Sequence, residues 1–280
     1  MSANFPEPSH GVPTFSIMGV PIFSIMDVPI FSPIFSIFWI PQFAEQTVQS
    51  RCMLAHHFDD TKLNRLENKV KLYGNNMAPN PRRVHIFMAE KGITCENVQL
   101  DIVKGENLSD EFLAINPRGM LPTLVLDDGT VIDETVAICR YFEETQPEPA
   151  LMGTDPVNKA LVESKQRHME WDGLLGAMEA FRNAFPGFAS RGLGGNVGTV
   201  EAIPALVERG KETLRRFYER LDGQLAASKF IAGDDFTIAD ITALCTIDFA
   251  AGAARVPIPE ECANVSRWHT EVSARPSIQG

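Results

Sequence analysis

The strongest constraint on the fold is a change of sequence pattern around residues 146–155. This stretch, QPEPALMGTD, contains two prolines and one glycine and shows no periodicity. Such residues interrupt helices and strands, which favours a linker between folded parts. Before it, short apolar runs alternate with helical stripes, whereas after it only helical periodicity occurs. The sequence therefore predicts an α/β domain over residues 70–145 and an all-helical domain over residues 156–280.

The patterns in the predicted α/β domain occur in the order βαβ followed by ββα. A short apolar run, VKLY, precedes a helical stripe of apolar residues that stops at Lys91-Gly92. Further on, two apolar runs meet at Asp128-Gly129, which indicates a hairpin. The predicted elements are a strand at 70–73, a helix at 81–92, a strand at 93–102, a short helix at 109–116, a hairpin at 121–132 and a helix at 133–145.

The predicted all-helical domain contains three helical patterns. Two long amphipathic patterns cover residues 156 to about 184 and 201–227, and the glycine-rich stretch GFASRGLGGNVGT separates them. A third helix is predicted to begin at Thr237, which can cap the amide three residues later while Asp240 reaches back to the Thr237 amide. We therefore interpret Asp240 as a residue for folding rather than a catalytic acid.

The first 69 residues differ from the rest of the chain. Between Gly11 and Ile37 the sequence repeats every eight residues, as in GVPTFSIM and GVPIFSIM. No Lys or Arg precedes Arg51, so the positive start of a signal peptide is missing, and repeated prolines would break a membrane-spanning helix. We expect residues 1–69 to be a disordered, low-complexity extension, or the translation of a repetitive region upstream of the true start. No membrane partner is predicted.

Charge and cysteine content narrow the range of partners. The net charge is -11 and the pI is near 5.0, and the basic residues are scattered, which argues against a nucleic-acid partner. The five cysteines lie far apart without a CxxC pair, as is usual in a reducing compartment. His56-His57 and Asp59-Asp60 have no neighbours that complete a metal site. The sequence predicts a cytoplasmic protein without a metal.

Five short motifs carry a resemblance to a known family across residues 70–280. They are Leu72-Tyr73 through Arg83-Val84, NPRGMLPTL at 116–124, DETVAICRYF at 133–142, FTIADI at 236–241 and RPS at 275–277. In this order and spacing the chain resembles the soluble glutathione S-transferases. The resemblance implies a thioredoxin-like α/β domain, an all-α helical bundle behind it, a homodimer, and a detoxification reaction between glutathione and a small electrophile.

By this resemblance, two segments bind glutathione. The family has a cis-proline at the position of Pro122, and the backbone of Leu121 then pairs with the cysteinyl part of glutathione like an added strand. Thr135 lies at a predicted helix N-terminus, where free amides favour an anion. The resemblance implies that Thr135 holds the γ-glutamyl carboxylate and that Glu134 lies close to the substrate's amino group.

The group that contacts the glutathione sulfur is less obvious. Family members with a serine or cysteine donor carry it early in the loop after the first strand, where this chain has Met77 or Ala78. The loop resembles the nu-like and related bacterial branches, in which asparagine, threonine or backbone amides face the sulfur. Asn80 is the first candidate donor and Asn76 the second, with the backbone amides after Ala78 as an alternative.

The sequence leaves open the roles of three further groups near this loop. The N-terminus of the helix near Pro81 offers a positive dipole end to the thiolate. Arg82 and Arg83 either add positive charge or form a solvated pair. Tyr73 could imitate the family members with a tyrosine donor, but it falls inside the predicted strand.

The electrophile is expected against the first helix of the second domain. Trp171, Met178, Phe181 and Phe185 recur there at roughly helical spacing, as in an apolar pocket wall, although the same stripe suits a core or a dimer interface. The leading interpretation is a glutathione transferase that stabilises the glutathione thiolate for attack on a small electrophile. The alternatives are a glutathione-dependent disulfide reductase or peroxidase, and a non-catalytic binding protein with the same fold.

Overall fold

The structure is a computed structural model that describes residues 70–279. The predicted extension at residues 1–69, with its octapeptide repeats and the histidine and aspartate pairs at 56–60, lies outside the described residues. In the described part, residues 71–145 form a sheet with flanking helices, here called the α/β region. All the elements from residue 156 onward are helices, here called the helical region.

Within residues 70–279, four short strands form one sheet in the order β2-β1-β3-β4. The strands are β1 (Lys71–Gly74), β2 (Glu96–Gln99), β3 (Thr123–Val125) and β4 (Val131–Asp133). β1 runs parallel to β2 and antiparallel to β3, and β3 and β4 form the predicted hairpin. Leu72 lies opposite Leu124 in this register, and both are fully buried in the core. In the described part of the chain β2 pairs with β1 alone, and because β1 is itself four residues long, β2 is shorter than predicted.

Between residues 70 and 145, three helices accompany the sheet. They are α1 (Pro79–Glu90), α2 (Asp110–Leu113) and α3 (Thr135–Thr145), with a 3₁₀ turn at Glu106–Leu108. α1 begins before the predicted residue 81, because Pro79 occupies the first turn, where the fixed φ of proline suits a helix. Val84 and Phe87 of α1 are fully buried, and α1 packs against α3.

The helical region contains more helices and is less uniform than the sequence pattern indicates. It comprises α4 (Pro156–His168), a π-helical segment (Met169–Leu174), α5 (Leu175–Arg182), a 3₁₀ turn (Pro186–Phe188), α6 (Pro204–Leu225), α7 (Ile238–Gly252), α8 (Ala263–Ser273) and α9 (Pro276–Gln279). α8 and α9 were not predicted. No helix in the described part of the chain is both long and apolar enough to cross a membrane.

α7 lies at the centre of the helical region. Its residues 238–247 are buried on every side, and it contacts α1 of the α/β region. The structure confirms the predicted capping box between Thr237 and Asp240. Asp240 is fully buried and accepts hydrogen bonds from the amides of Ile231 and Thr237 at 3.0 Å each and from Trp268 Nε1 at 2.9 Å. These contacts hold the start of α7 against α8, so Asp240 acts in folding.

The predicted linker is tied to the α/β region by one buried lysine. Lys91 Nζ lies 2.8 Å from Glu143 Oε2 and donates to the carbonyls of Gln146 and Pro149, at 2.7 Å each. Glu143 in turn accepts hydrogen bonds from the amides of Leu151 and Met152, at 3.0 and 2.9 Å. The proline-rich stretch is therefore a fixed connection between the two regions.

Candidate active site

A cavity of about 330 Å³ lies between the loop after β1, the segment before β3, and α5. Much of its lining is apolar. The residues that line it are Asn75, Met77, Ala78, Pro79, Asn80, Pro81, Asp101, Ile102, Val103, Asn107, Gly119, Met120, Leu121, Met178, Phe181, Arg182, Phe188, Gly194, Gly195 and Phe249. The α/β and helical regions both contribute to it, so we treat it as the candidate active site.

The N-terminus of α1 forms one wall of this cavity. Ala78 occupies the capping position in an extended conformation and has no side-chain oxygen to accept an amide. Pro79 and Pro81 lack an N–H, and the amide of Arg82 bonds to the carbonyl of Ala78 at 3.3 Å. The N–H of Asn80 is therefore the one first-turn amide of α1 without a partner among residues 70–279.

The side chain of Asn80 is oriented by Arg83. Nη1 of Arg83 donates to Oδ1 of Asn80 at 2.9 Å. Because a guanidinium has donors and no acceptor, the oxygen end of the amide must face Arg83, and the NH₂ end points away. In the described part of the chain this NH₂ has no hydrogen-bond partner. Asn80 thus has two donor groups without a partner in residues 70–279, its backbone N–H and its side-chain NH₂.

The two arginines are not a solvated pair. Arg83 is buried, donates from Nε to Thr242 Oγ1 at 2.9 Å, and pairs with Glu170 at 2.5 Å. Arg82 pairs with Asp248 at 2.6 Å. Burial alone would raise the pKa of Asp248, but hydrogen bonds from His269 and Arg82 lower it below its ordinary value. Both arginines therefore hold α1 to the helical region, and neither lines the cavity.

The other polar residues of the loop have different positions. Asn76 is exposed, does not line the cavity, and uses its amide to bond Gln99 at 3.0 Å. Asn75 lines the cavity, but its side chain bonds the carbonyl of Leu100 at 2.8 Å and the amide of Met77 at 3.0 Å. Tyr73 lies inside β1 and packs on Phe112, with ring centroids 5.6 Å apart. Of the two asparagines of this loop that line the cavity, Asn80 is the one whose side-chain NH₂ has no hydrogen-bond partner among residues 70–279.

The residues expected to bind glutathione lie at two places. Leu121 lines the cavity, and the Leu121–Pro122 peptide bond is cis, as the resemblance implies. Pro122, Glu134 and Thr135 lie outside the cavity lining. Thr135 is buried as the first residue of α3, and Glu134 has a positive φ of 70° and accepts a hydrogen bond from Arg118 at 2.7 Å.

Some of the residues predicted to form the electrophile wall line the cavity, and others do not. Phe181 and Met178 of α5 line the cavity, together with Phe249 of α7. Phe185 stacks on Phe181 at 5.3 Å from outside the lining. Trp171 does not line the cavity, and 64% of its surface is exposed. It belongs to the π-helical segment, where the spacing of 3.6 residues per turn does not apply.

Sequence reasoning missed the segment between α5 and α6, which borders the cavity through Phe188, Gly194 and Gly195. Arg191 of this segment donates to the carbonyls of Ile102 and Val103 at 2.9 and 2.8 Å. These bonds join it to the α/β region. A long, glycine-rich connection inside a compact fold is itself a sign of a functional loop, and this signal was available in the sequence.

Two family models match the chain. The N-terminal domain of glutathione S-transferase matches residues 78–145, and the C-terminal domain of glutathione S-transferase matches residues 204–271. The chain belongs to the glutathione S-transferase family. Its fold is the predicted one, a thioredoxin-like α/β part followed by a helical bundle, and the co-substrate of this transferase is glutathione.

Individual relatives support this assignment. Glutathione S-transferase 2 of Saccharomyces cerevisiae is 33% identical over 218 residues, which cover 77% of this chain and 90% of the yeast protein. The crystal structure of Gtt2 from Saccharomyces cerevisiae matches with a TM-score of 0.68 and 31% identity, over 75% of this chain and 98% of that one. A glutathione S-transferase domain-containing protein from Marinobacter aquaeolei VT8 matches with a TM-score of 0.66 and 37% identity, over 74% of this chain and 99% of that one.

Proposed function

We propose that Asn80 stabilises the thiolate of glutathione so that it can attack a small electrophile. The supporting observation is that Asn80 lines the cavity at the N-terminus of α1 and carries two donor groups without a partner among residues 70–279. A free thiol with a pKa near 8.5 is mostly protonated at neutral pH, so any donor that favours the anion raises the reactive fraction. The N-terminal end of α1 adds a positive dipole at the same place.

Asn80 cannot act as a base. An amide has no titratable proton in this range, so the thiol proton leaves to solvent or to a carboxylate of glutathione. In the attack, a carbon–sulfur bond forms at the electrophile while its leaving group departs with the electron pair. The protein's task is then to hold the sulfur as an anion in a site partly closed to water.

The remaining parts of glutathione fit the neighbouring backbone. The N–H and C=O of Leu121 have no partner among the described residues, so the cysteinyl part of glutathione can pair with them. The γ-glutamyl carboxylate is assigned to Thr135 at the start of α3, with Glu134 near the amino group. The electrophile is assigned to the apolar wall of Met178, Phe181 and Phe249.

The test is a spectroscopic titration of bound glutathione with a matched pair of variants. Asn80→Ala should raise the pKa of the bound thiol by roughly 1 unit, because a net hydrogen bond of about 1 kcal/mol to the anion is lost. Asn76→Ala is the control and should titrate like the wild type. An unchanged titration of Asn80→Ala would remove Asn80 from the donor role.

A glutathione-dependent disulfide reductase or peroxidase is the second candidate. It is favoured by the cavity lining, which in the described part of the chain contains no serine, cysteine or tyrosine. Retention on glutathione-agarose with disulfide reduction but without conjugation would support this candidate. Absence of retention would support a non-catalytic protein instead.

An exposed apolar stripe supports the homodimer. Val157, Leu161, Trp171 and Leu175 lie along α4, the π-helical segment and α5, and between 42% and 69% of each residue's surface is exposed. Several large apolar side chains exposed along one stretch of helices are candidates for a contact with another protein surface. We therefore assign the stripe to contact with a second copy of the chain.

A cytoplasmic location and a role in detoxification complete the proposal. Cys95, Cys139, Cys245 and Cys262 are free thiols, which suits a reducing compartment. Burial raises the pKa of Cys139 and Cys245 to about 12, so neither offers a thiolate of its own. Fractionation of the native cells would test the location.

A further inference from the structure

The cavity contains one cationic side chain that the proposed roles leave unused. Arg182 is the last residue of α5, and it follows Phe181 and lies one turn after Met178 on the proposed electrophile wall. Its side chain is half-buried and lines the cavity. A charged group on an otherwise apolar wall needs a hydrogen-bonding or oppositely charged partner, because burial of an unpaired charge is costly.

The partners of Arg182 are neutral. Nη1 donates to the carbonyls of Arg191 and Leu193 at 2.8 and 3.0 Å, and the guanidinium lies 4.6 Å from the ring centre of Phe188. Among residues 70–279 no carboxylate lies within 4.0 Å of it. A guanidinium has five N–H donors, so the donors on Nε and Nη2 are without a protein partner in this part of the chain.

The neighbouring charges do not compensate Arg182. Arg191 lies 4.8 Å from the same Phe188 ring and also donates only to carbonyls. Burial, followed by repulsion from Arg191, lowers the pKa of Arg182. Asp101 lines the cavity, but its carboxylate bonds the amides of Val103 and Lys104 and pairs with the Lys104 ammonium at 3.2 Å. Among the described residues, the positive charge of Arg182 therefore has no carboxylate paired with it.

We propose that Arg182 binds an anionic group, a carboxylate or sulfonate, on the second substrate, so that the enzyme prefers acidic electrophiles. This inference rests on the proposed function for the position of the two substrates. Glutathione is assigned to Leu121, Thr135 and Asn80 of the α/β region, whereas Arg182 belongs to the α5 wall with Met178 and Phe181. A planar guanidinium with free donors is well suited to a carboxylate or sulfonate.

The first test compares two electrophiles that differ by one carboxylate, chlorodinitrobenzene and chlorodinitrobenzoate. Arg182→Met keeps a long side chain and removes the charge. It should lower kcat/KM for the benzoate by roughly 10- to 100-fold, the range for a charge-assisted hydrogen bond, and change the neutral compound little. Arg182→Lys should retain part of the preference.

Arg191→Met is the matched control. Arg191 also contacts Phe188 and holds the same segment, but it does not line the cavity. A loosened segment would affect both electrophiles alike in Arg191→Met and in Arg182→Met. Equal losses for the benzoate and the neutral compound in Arg182→Met would overturn the proposal.

The second test needs no turnover and separates this inference from the proposed function. Binding of anilinonaphthalene sulfonate is compared with that of phenylnaphthylamine, its uncharged counterpart, by dye fluorescence without glutathione. Arg182→Met should weaken the sulfonate dye by about 10-fold and leave the neutral dye unchanged. If the dyes behave in this way and the protein shows no conjugation of glutathione, the anion site is supported and the transferase mechanism is rejected. Unchanged sulfonate binding would reject the anion site.

A third arm identifies the source of the anion. If Arg182 instead bound the glycine carboxylate of glutathione, Arg182→Met would raise the KM for glutathione equally with both electrophiles. Replacing glutathione by γ-glutamylcysteine, which lacks the glycine, would then abolish the difference between variant and wild type. That outcome would overturn the assignment to the second substrate.

Discussion

Arg83 donates a hydrogen bond to the side-chain oxygen of Asn80 across 2.9 Å, and the same guanidinium bonds Thr242 of α7 and Glu170 of the π-helical segment. Arg83 is therefore a bridge between the start of α1 and the helical region. Through this contact, the helical region determines which end of the Asn80 amide faces the cavity. The proposed thiolate donor is thus positioned by residues far from it in the sequence.

The first prediction concerns Arg83 as a positioning residue. Arg83→Met should raise the pKa of bound glutathione by up to about 1 unit, because the Asn80 amide is then free to turn its oxygen toward the sulfur. Glu170 keeps Arg167 as a partner at 2.6 Å, so the variant should still fold. Titration of thiolate absorbance in the complex measures the shift.

Arg82→Met is the control for this prediction. Arg82 is adjacent in sequence but pairs with Asp248 and makes no hydrogen bond with Asn80. The pKa of bound glutathione in Arg82→Met should equal that of the wild type. If the two variants shift the pKa equally, the effect comes from loss of positive charge near α1 and not from the orientation of Asn80.

The sequence predicted those elements of the fold that are determined by interactions between residues close together in the chain. The apolar stripe of α1 and the capping box at Thr237 and Asp240 are local patterns, and both helices were predicted from them. α7 is buried on every side, so it has almost no amphipathic pattern, and only its cap revealed where it begins.

The site was predicted less completely, and three cases show the physical reasons. Trp171 was assigned to the cavity by counting 3.6 residues per turn, but the π-helical segment at Met169–Leu174 shifts the phase of the helix and turns Trp171 outward. Asn76 and Asn80 have the same chemistry, and the tertiary structure distinguishes them, because Asn80 lines the cavity and bonds the buried Arg83 whereas Asn76 is exposed. The role of Arg182 could not be predicted from the sequence, because the absence of an acidic partner is a property of the tertiary structure.

The second prediction concerns the buried pair of Lys91 and Glu143. Lys91→Met should lower the free energy of unfolding by about 3–5 kcal/mol, because Glu143 would remain buried without its counter-charge. The linker carbonyls would also lose their donor. Lys71→Met removes an exposed pair with Glu96 and should cost less than about 1 kcal/mol. Urea unfolding measures both, and equal losses would contradict the special role of Lys91.

The third prediction is a pH dependence that arises at Glu90. Burial alone would raise the pKa of Glu90, but hydrogen bonds from Arg275 and Ser277 outweigh it and lower the pKa below its ordinary value of 4.5. Arg275 donates two of these hydrogen bonds, each 2.7 Å long. Since the folded-state pKa is lower than the unfolded one, unfolding takes up a proton in acid. This contribution is complete above pH 4.5 and is lost as the pH falls below it.

Glu90→Gln tests this pH dependence. At about pH 7 the variant should be less stable than the wild type by roughly 1.5–3 kcal/mol, the range for hydrogen bonds to a charged group. The difference should shrink as the pH falls below about 4. Unfolding curves in urea at several pH values give the comparison, and a constant difference would show that Glu90 does not titrate as described.

The fourth prediction concerns the apolar stripe on α4 and α5. Leu161→Glu combined with Leu175→Glu should convert a dimer into monomers, because burial of each leucine contributes about 1.5–3 kcal/mol. Together these losses weaken association by two or more orders of magnitude. Leu193→Glu is the control, since Leu193 is 58% exposed but lies outside the stripe, and it should remain dimeric. Light scattering after size-exclusion chromatography reports the mass, and a monomeric wild type would refute the assignment of the stripe to self-association.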